Sequence, residues 1–475
     1  MNRAGRRPVV FMGLPMAINV RDVLRTDAFR ALKDADVEIH LFTPAADVPE
    51  FRAEFAAPSV HIHPLAAPAS RAFEAWDSAV LRLHVLLLSL RTDTARIMIA
   101  PTLERSGWRR ALRGALAAVG RTGQDALLFA TRAVTLRAAP ELYALAFERW
   151  RPDLVVGTRV ITMSGPRTQS SPRYLDRHLL MSAARRGVPT MVLVSSWDNL
   201  TTSGFFPVDV DRITVWNDIM RAQAVEIHGL PADRVEVTGA PQHDVFARAE
   251  PFRPRADFLR GLGLDPARRM IVYTTGTEGT IPGEPELVGV IADALERELA
   301  DVQLLVRLHQ LDRMERYATL QANPRVAFDQ AGRPPQGAYH DRDFDLGQIE
   351  HLADTLRHAD VVVNTASSIS IDAAAVGTPV VCVDFDTRPG LPYHASVRRF
   401  YDFTHQRPIV ESGGVARVRT PEEMVGAIRR YLDDPALDSE GRARLVREQC
   451  HELDGRSGRR VGAAMLAMLA PRRAR

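Results

Sequence analysis

The sequence predicts an α/β protein with two doubly wound domains, each built on a parallel sheet covered by helices. Short apolar runs alternate with helical patterns along most of the chain, and this alternation is interrupted by a proline-rich stretch over 241–254 before a second series begins. The length of 475 residues also exceeds what one hydrophobic core usually supports. We expect a first domain over 1–245, a second over 255–455, and a final helix within 456–475 that could cross back to the first domain.

The strands of both domains are predicted from apolar runs of four to seven residues. In the first domain these runs are 9–14, 37–42, 153–157, 190–195, 213–216 and 235–238. In the second they are 270–275, 302–308, 325–328, 361–364 and 379–383. Helical patterns lie between them at 21–33, 124–150, 174–186, 286–300, 348–357 and 368–376. Because open parallel sheets bind ligands beyond the carboxyl ends of their strands, we expect the functional residues in the loops that follow the strands.

Composition and charge exclude several classes of protein. The 46% hydrophobic and 25% charged residues are typical of a globular chain, and no run approaches the ~18 uncharged apolar residues that cross a bilayer. The only cysteines, Cys382 and Cys450, match no metal-binding spacing. A formal charge of +3 gives no reason to expect nucleic acid. We expect a cytoplasmic protein, whose arginine-rich ends are either solvated tails or a weak electrostatic hold on the inner face of the cell membrane.

The most informative stretch is 359–386, where a strand ends at Asn364 and a small polar loop leads into a helix. Free N–H groups at a helix start bind phosphate, and Ser367 and Ser368 can add hydroxyl donors. Asp372, one turn further on, is placed to accept hydrogen bonds from ribose hydroxyls. A serine that caps the helix is the alternative, and it is compatible with phosphate binding.

This pattern of strand, Ser-Ser, Asp, Gly-x-Pro, strand and Asp resembles the C-terminal signature of the CDP-glycerol glycerophosphotransferase family. These are GT-B enzymes of teichoic acid and surface polysaccharide synthesis. The matching loop residues are Thr365, Ser367, Ser368 and Asp372, whereas Ala366 departs from the family pattern. Further similarities within 235–435 are Arg398, Arg399, Phe400-Tyr401, Arg307, His309 and the segment 238–244. The resemblance implies a GT-B fold, a nucleotide-activated donor on the second domain, and a glycan or lipid-linked acceptor.

The family's His-Gly motif is missing from the first domain, so the catalytic base is predicted from position instead. After the strand at 190–195 come Trp197, Asp198 and Asn199. A carboxylate at the carboxyl end of a strand can take a proton from an acceptor hydroxyl, which makes Asp198 the candidate base. Trp197, Asn199 and Asn19 are candidate acceptor contacts. The alternative is an ordinary turn, since Asp-Asn is common in loops.

Two further features are predicted around the donor. Arg307 and His309 alternate at the end of a strand, so they share one side and could offset charge on a departing phosphate; a plain surface strand end is the alternative. The loop containing Gly276, Thr277 and Gly279 could contact phosphate, although it has neither G-x-G-x-x-G nor a Walker lysine. Its Glu278 is either a loop acid or an acceptor for a base or sugar hydroxyl.

We expect no metal cofactor for the reaction. The acidic block 341–345 is interpreted as a solvated loop, and helix-start N–H groups with Arg307, Arg398 and Arg399 would stabilise the leaving nucleotide. The expected activity is transfer of a glycosyl or polyol-phosphate group from a nucleoside-diphosphate donor to a cell-surface polysaccharide or glycolipid precursor. The alternatives are a UDP-sugar 2-epimerase and a non-catalytic scaffold that binds a glycan or a partner protein.

Overall fold

The computed structural model describes residues 6–66, 70–158, 175–276, 279–281, 283–334 and 342–470. Within these ranges the chain divides into two compact units, residues 6–242 with 456–470 and residues 243–334 with 342–455. Each unit is built on one parallel sheet with helices between successive strands. The predicted α/β class with two doubly wound, Rossmann-like sheets is confirmed.

Among the residues that the structure describes, the first unit contains seven strands and most of the helices. Its strands are β1 Val9–Gly13, β2 Glu38–Thr43, β3 Val60–Pro64, β4 Leu154–Gly157, β5 Thr190–Leu193, β6 Arg212–Val215 and β7 Val235–Val237. Its helices up to β7 are α1 Ala17–Asn19, α2 Asp27–Asp34, α3 Pro49–Phe55, α4 Arg71–Leu88, α5 Asp93–Glu104, α6 Gly107–Ala118, α7 Gly120–Ala138, α8 Ala144–Trp150, α9 Leu175–Arg185, α10 Asn199–Thr202 and α11 Asp218–Glu226. A π-helical turn covers Val20–Leu24, and a 3₁₀ turn covers Ala232–Arg234.

The sheet of the first unit has the strand order β3-β2-β1-β4-β5-β6-β7. The direction of winding therefore reverses between β1 and β4, and the crevice at such a reversal is where doubly wound sheets bind ligands. β1 is buried along its whole length, with Val10, Met12 and the neighbouring Leu14 in the unit's main core. Strands buried in this way are nearly continuous apolar runs, which explains why the sequence pattern located them.

Two of the predicted helices are wrong in their extent. The pattern over 124–150 forms two helices, α7 and α8, because Pro140 falls between them and a proline cannot donate to a helical hydrogen-bond ladder. The pattern over 21–33 is divided at Thr26, whose hydroxyl accepts a hydrogen bond from the Ala28 N–H and caps α2.

The second unit contains six strands and seven helices in the part that the structure describes. Its strands are β8 Arg269–Thr274, β9 Val302–Leu308, β10 Val326–Gln330, β11 Val361–Asn364, β12 Val380–Val383 and β13 Val415–Val418. Its helices are α12 Arg255–Gly261, α13 Glu284–Arg297, α14 Leu346–His358, α15 Ile369–Ala375, α16 Arg407–Glu411, α17 Pro421–Asp433 and α18 Ser439–Cys450. Short 3₁₀ turns cover Met314–Leu320 and Val397–Asp402, and another, Pro241–Ala247, links the units in sequence.

The second sheet has the order β10-β9-β8-β11-β12-β13, so its winding reverses between β8 and β11. Asn364, the last residue of β11, pairs with Thr274, the last residue of β8, and Thr274 pairs with Arg307 on β9. The loops that follow these three strands therefore start side by side at one edge of the sheet.

The final helix, α19 Ser457–Leu469, lies against α2 in the first unit. Val461, Ala464 and Met465 join the apolar core that contains β1 and α2. In the part of the chain that is described, no helix combines the length and the apolar character that a bilayer crossing requires.

Candidate functional site

An open groove lies beyond the carboxyl ends of the strands at the reversal point of the second sheet. Its walls include Ile281 and Gly283 before α13, Thr365 after β11, and Asp386 and Arg388 after β12. The Thr387 hydroxyl donates a hydrogen bond to the Gly283 carbonyl at 3.0 Å, which ties two of these walls together. The groove therefore occupies the position at which doubly wound sheets bind ligands.

Glu284, which no sequence motif indicated, organises the loop after β8. Its Oε1 accepts hydrogen bonds from the Gly276 N–H at 2.7 Å and the Tyr273 hydroxyl at 3.1 Å. The side chain is buried, and burial raises the pKa of Glu284 to about 8. The signal in the sequence was an acid in the first turn of a helix, a common feature that by itself indicates only a favourable helix start.

The turn between β11 and α15 has an unusual backbone. Ala366 is left-handed, with φ of 47°, a conformation that costs a non-glycine residue about 1 kcal/mol. The Ser367 N–H donates to Asn364 Oδ1 at 3.1 Å, and the Ser367 hydroxyl accepts from the Ile369 N–H at 3.3 Å. Ser367 thus caps the start of α15, while Ser368 occupies the N-cap position without a side-chain capping bond. Both serines are half-buried and lie at the same sheet edge as Gly276.

Asp372 carries an ion pair inside the second unit. Its Oδ1 lies 3.2 Å from Nε2 of the buried His243. Burial opposes a charge on His243, but the Cys450 thiol and the Asp372 carboxylate raise the pKa of this histidine to about 10. Asp372 keeps a partly exposed side chain, so it is both a partner of His243 and an acceptor within reach of solvent.

Arg307 lies near the end of β9, where an acidic residue on the neighbouring strand balances its charge. It forms an ion pair with Asp329, its register partner on β10, and His351 Nε2 is 2.9 Å from the same carboxylate. The bond from His351 and the charge of Arg307 hold the pKa of Asp329 at about 2 in spite of its burial.

His309 is neutral and has a defined tautomer. Its Nδ1 accepts a hydrogen bond from the Leu311 N–H at 3.1 Å, so its proton is on Nε2. Burial lowers the pKa of His309. Its backbone N–H donates to the Thr275 hydroxyl at 2.9 Å, which places it beside the loop that begins with Gly276. His309 can therefore donate a hydrogen bond from Nε2 at neutral pH, but it is not a cation.

The remaining predicted donor residues differ in exposure. Arg398 is exposed, whereas the Arg399 guanidinium lies 4.1 Å over the Phe400 ring and donates to the carbonyls of Ser396 at 2.7 Å and Thr280 at 3.3 Å. Around Gly279 there is open space, since an added Cβ would meet nothing within 4 Å. Thr277 and Glu278 lie outside the described residues.

A second groove, in the first unit, lies at the carboxyl ends of β4 to β7. Thr158, Ser195 and Thr238 line it, together with Asp22 and Gln242. The Thr158 hydroxyl donates to the Gly13 carbonyl at 2.7 Å, and the Ser195 hydroxyl donates to the Thr158 carbonyl at 2.9 Å. Asp22 was not singled out from the sequence; it is buried, and its Oδ1 lies 2.6 Å from Arg21 Nε.

The predicted acceptor-side residues have largely local contacts. Asp198 Oδ1 accepts from the Ser196 hydroxyl at 2.5 Å, and its Oδ2 accepts from the Thr202 hydroxyl at 3.3 Å. Trp197 is buried, and Asn199 is half-buried as the first residue of α10. Asn19 is buried too: its Oδ1 accepts from the Met16 N–H, and its Nδ2 has no hydrogen-bond partner among the residues described.

The basic N-terminal residues that the structure describes are paired with acids. Arg6 lies 2.8 Å from Asp153, and Arg7 lies 2.8 Å from Asp36. Arg3 and residues 471–475, which carry the rest of the predicted basic ends, lie outside the described ranges.

No protein-family model and no curated protein matches the sequence. Solved structures match the fold over nearly the whole chain. UDP-GlcNAc 2-epimerase from Neisseria meningitidis, bound to UDP-GlcNAc, is 11% identical with a TM-score of 0.51, and the match covers 97% of this chain and 100% of that one. The epimerase from Methanocaldococcus jannaschii, in complex with UDP-GlcNAc and UDP, is 11% identical with a TM-score of 0.50 and the same coverage. A glycosyltransferase from Rickettsia africae is 9% identical, with a TM-score of 0.50 and coverage of 97% and 99%.

The chain has the GT-B fold. At these identities the likeness establishes the architecture and nothing finer, because one fold supports many reactions. The resemblance to the CDP-glycerol glycerophosphotransferase family remains a prediction.

Proposed function

We propose that this GT-B protein is an enzyme that uses a nucleoside-diphosphate donor and transfers a glycosyl or polyol-phosphate group to a cell-surface polysaccharide or glycolipid precursor. The observation that carries the proposal is the pairing of strand ends at the reversal point of the second sheet, which starts the loop at Gly276 and the turn over 365–368 side by side. Thr365 of that turn also lines the groove. GT-B neighbours in complex with UDP-GlcNAc and UDP support a nucleotide-activated substrate.

The donor would be held by the second unit. The backbone at Gly276, with Ser367 and Ser368, would hold the diphosphate, and Arg398 and Arg399 would supply positive charge. Asp372 would accept hydrogen bonds from ribose hydroxyls while it keeps its contact with His243.

The departing phosphate would be stabilised without a metal. His309 would donate a hydrogen bond from Nε2, and Arg307 would add positive potential that Asp329 partly cancels. On the acceptor side, Asp198 remains our proposed base, with Trp197, Asn199 and Asn19 as proposed acceptor contacts. Asp22 is a second carboxylate to test because it lines the groove of the first unit.

The donor site is tested by calorimetry of UDP, CDP and GDP binding to the full chain. We expect one nucleotide to bind, and Ser367→Ala and Asp372→Ala to weaken that binding at least about tenfold, since each removes a direct hydrogen bond to the ligand. Ser439→Ala and Asp257→Ala are matched controls on exposed positions of the same unit. If both site variants bind every nucleotide as the parent does, the donor-site assignment is wrong.

The base is tested by single-turnover kinetics with the nucleotide-sugar that binds. Replacing the base with asparagine should slow the chemical step by roughly 10²–10⁴ while donor affinity is retained. Asp198→Asn and Asp22→Asn are compared directly. An unchanged rate in Asp198→Asn together with a slow Asp22→Asn would transfer the role to Asp22, and unchanged rates in both would exclude a base at either position.

An epimerase is the second candidate, and its support is the whole-chain match to two UDP-GlcNAc 2-epimerases. An epimerase changes the sugar nucleotide without an acceptor, whereas a transferase needs one. Incubation of UDP-GlcNAc with the protein alone, followed by NMR of the sugar ring, distinguishes them. A nucleotide sugar inverted at C2 favours the epimerase. Binding without turnover, with or without a glycan or lipid-linked acceptor, favours a non-catalytic scaffold.

A peripheral hold on the membrane would bring the protein to a lipid-linked acceptor. Support comes from α6, where Trp108 is 66% exposed with the Arg109 guanidinium 5.1 Å from its ring, and Arg110 is also exposed. Sedimentation with vesicles containing an anionic lipid tests this. We expect binding that is lost in Trp108→Ala with Arg110→Ala, and no binding to neutral vesicles. Equal sedimentation of the variant and the parent would refute a role for α6.

A further inference from the structure

A cluster of histidines occupies two neighbouring strands of the first sheet, away from both grooves. His40 on β2 is the register partner of His61 on β3, and Phe42 is the partner of His63. Because side chains alternate along a strand, Glu38 and His40 lie on one face of β2, and His61 and His63 lie on one face of β3. The sequence motifs Glu-x-His and His-x-His are thus brought side by side.

Three of these side chains converge on one point. Glu38 Oε1 lies 3.1 Å from His40 Nε2 and 3.3 Å from His61 Nε2, and the three atoms lie within 4.8 Å of one another. A tetrahedral Zn²⁺ ion with ligands at about 2.0–2.1 Å holds adjacent ligand atoms roughly 3.3 Å apart. The two separations measured from Glu38 Oε1, 3.1 and 3.3 Å, are already close to this value.

We propose that Glu38, His40 and His61 bind a divalent transition-metal ion, with Zn²⁺ as the reference case. Two imidazoles and one carboxylate are a donor set suited to zinc and its neighbours in the first transition row, and not to Mg²⁺ or Ca²⁺, which take oxygen ligands. Three protein ligands leave a fourth position for water. The exposed fractions of His61 (43%) and Glu38 (33%) give the ion a path from solvent.

His63 supplies the hydrogen bond that orients a metal-bound histidine. His40 Nδ1 lies 2.9 Å from His63 Nε2. In the metal-free chain His40 Nε2–H donates to Glu38, so His40 Nδ1 accepts from His63 Nε2–H. When Nε2 of His40 binds the ion, the proton on Nε2 is displaced to solvent and His63 passes its Nε2 proton to Nδ1 of His40. The half-buried His63 takes a proton from solvent on its own Nδ1, so both rings stay neutral and the His40 Nδ1–H donates to Nε2 of His63. Metal-bound histidines usually have a partner of this kind at the second ring nitrogen.

Aromatic rings pack against the buried His40 and hold its ring in place. The Trp150 ring lies 4.7 Å from the His40 ring and 4.6 Å from the His63 ring, and the Phe11 ring lies 5.2 Å from His40. His40 is fully buried. One ligand is therefore held rigidly in the sheet, and the two others reach it from the surface.

The site lies at the edge of the sheet opposite the first unit's groove. Glu38 is the first residue of β2 and His61 the second of β3, whereas the groove lies at the carboxyl ends of the strands. A metal ion here would join the edge strand β3 to β2. We assign it a stabilising role, which is independent of the proposed transferase reaction.

The test is binding of Zn²⁺ to the full chain, prepared without an affinity tag that contains histidine. We expect one ion per chain by calorimetry and by elemental analysis after dialysis, and a higher thermal midpoint with the ion than with EDTA. The Co²⁺ form should show the intense visible absorption of a tetrahedral site. No stoichiometric binding by the parent would overturn the proposal.

The variants use the two exposed ligands, because replacing the buried His40 could prevent folding. His61→Ala and Glu38→Gln should lose the stabilisation by Zn²⁺, and His63→Ala should weaken binding about 10–100-fold. His394→Ala, outside the cluster, is the control and should bind as the parent does. If His61→Ala binds Zn²⁺ with the parent's affinity and is stabilised equally, the site is elsewhere and the proposal fails.

Discussion

The contact between α19 and α2 depends on glycines, and it makes a quantitative prediction. A Cβ added at Gly462 would lie 2.6 Å from the Ala31 Cβ and 3.2 Å from the Ala28 carbonyl oxygen. Carbon atoms in contact are normally 3.5–4.0 Å apart, so Gly462→Ala must push α19 away from α2 by about 1 Å. Val461 and Met465, which are part of the core of the first unit, would move with it.

The expected change in the free energy of unfolding is a difference of two effects. Overpacking a tight contact destabilises by about 1–3 kcal/mol, whereas replacing a helical glycine by alanine stabilises by about 0.5–1 kcal/mol. We expect Gly462→Ala to destabilise the first unit by about 1 kcal/mol. For a unit of this size that is a fall of roughly 2–4 °C in the thermal midpoint.

A double-mutant cycle isolates the contact. Ala31→Gly removes the Cβ that the new methyl group would meet, so Gly462→Ala should cost less, or even stabilise, in that background. Gly426→Ala in α17 is the matched control, because the nearest atom to its added Cβ is the flexible Arg430 Nη1 at 3.6 Å. The free energy of unfolding of this variant should rise by about 0.5–1 kcal/mol. The assay is unfolding followed by circular dichroism. Additive effects at 462 and 31, or stabilisation by Gly462→Ala alone, would refute the packing argument.

Three further predictions concern pH and metal. The pKa of Glu284 is raised from 4.5 to about 8, so the stability that its protonated form contributes is complete below pH 4.5 and is lost as the pH rises through 8. The thermal midpoint should therefore fall less between pH 5 and pH 8 in Glu284→Gln than in the parent. The raised pKa of His243, about 10, gives stability that is complete below about pH 6.5 and lost towards pH 10, so Asp372→Asn should destabilise more at pH 6 than at pH 10; an equal loss at both would show that His243 is not charged. The transfer reaction should keep its rate in EDTA, since none of its proposed steps uses a metal; inactivation reversed by Mg²⁺ or Mn²⁺ would contradict this.

Much of the fold could be predicted because buried parallel strands have a local signature. The predicted runs 302–308 and 361–364 coincide with β9 and β11, and most others differ by one or two residues. Two strands were missed, β3 and β13, whose sequences Val-His-Ile-His-Pro and Val-Ala-Arg-Val are broken by polar residues. In β3 the histidines that interrupt the apolar run are the ones that meet Glu38 and His40 across the sheet.

The candidate donor site could be predicted only as far as strand order allows. The loops at Gly276 and Ser367 follow β8 and β11, and a reversal of winding brings the ends of those strands together. Glu284 could not be predicted in the same way. It is an ordinary acid in the sequence, and its role depends on the backbone that it meets, because it accepts a hydrogen bond from the Gly276 N–H.

Arg307 and His309 show why the chemistry of a site is harder to predict than its position. Alternation along β9 predicts both residues on one side of the strand. Their charges, however, are set by groups that alternation does not reveal. Asp329, on the adjacent strand, balances Arg307, and burial keeps His309 neutral with its proton on Nε2. A leaving phosphate beside β9 would therefore meet a hydrogen-bond donor and a partly neutralised cation instead of two full positive charges.

If the proposed reaction occurs, Asp329→Asn should strengthen the positive potential beside β9 and so increase affinity for the nucleoside diphosphate. Asp257→Asn, on the surface, should leave this affinity unchanged. A decrease in affinity in Asp329→Asn would mean that Asp329 acts by positioning Arg307, and no change would place the phosphate away from β9.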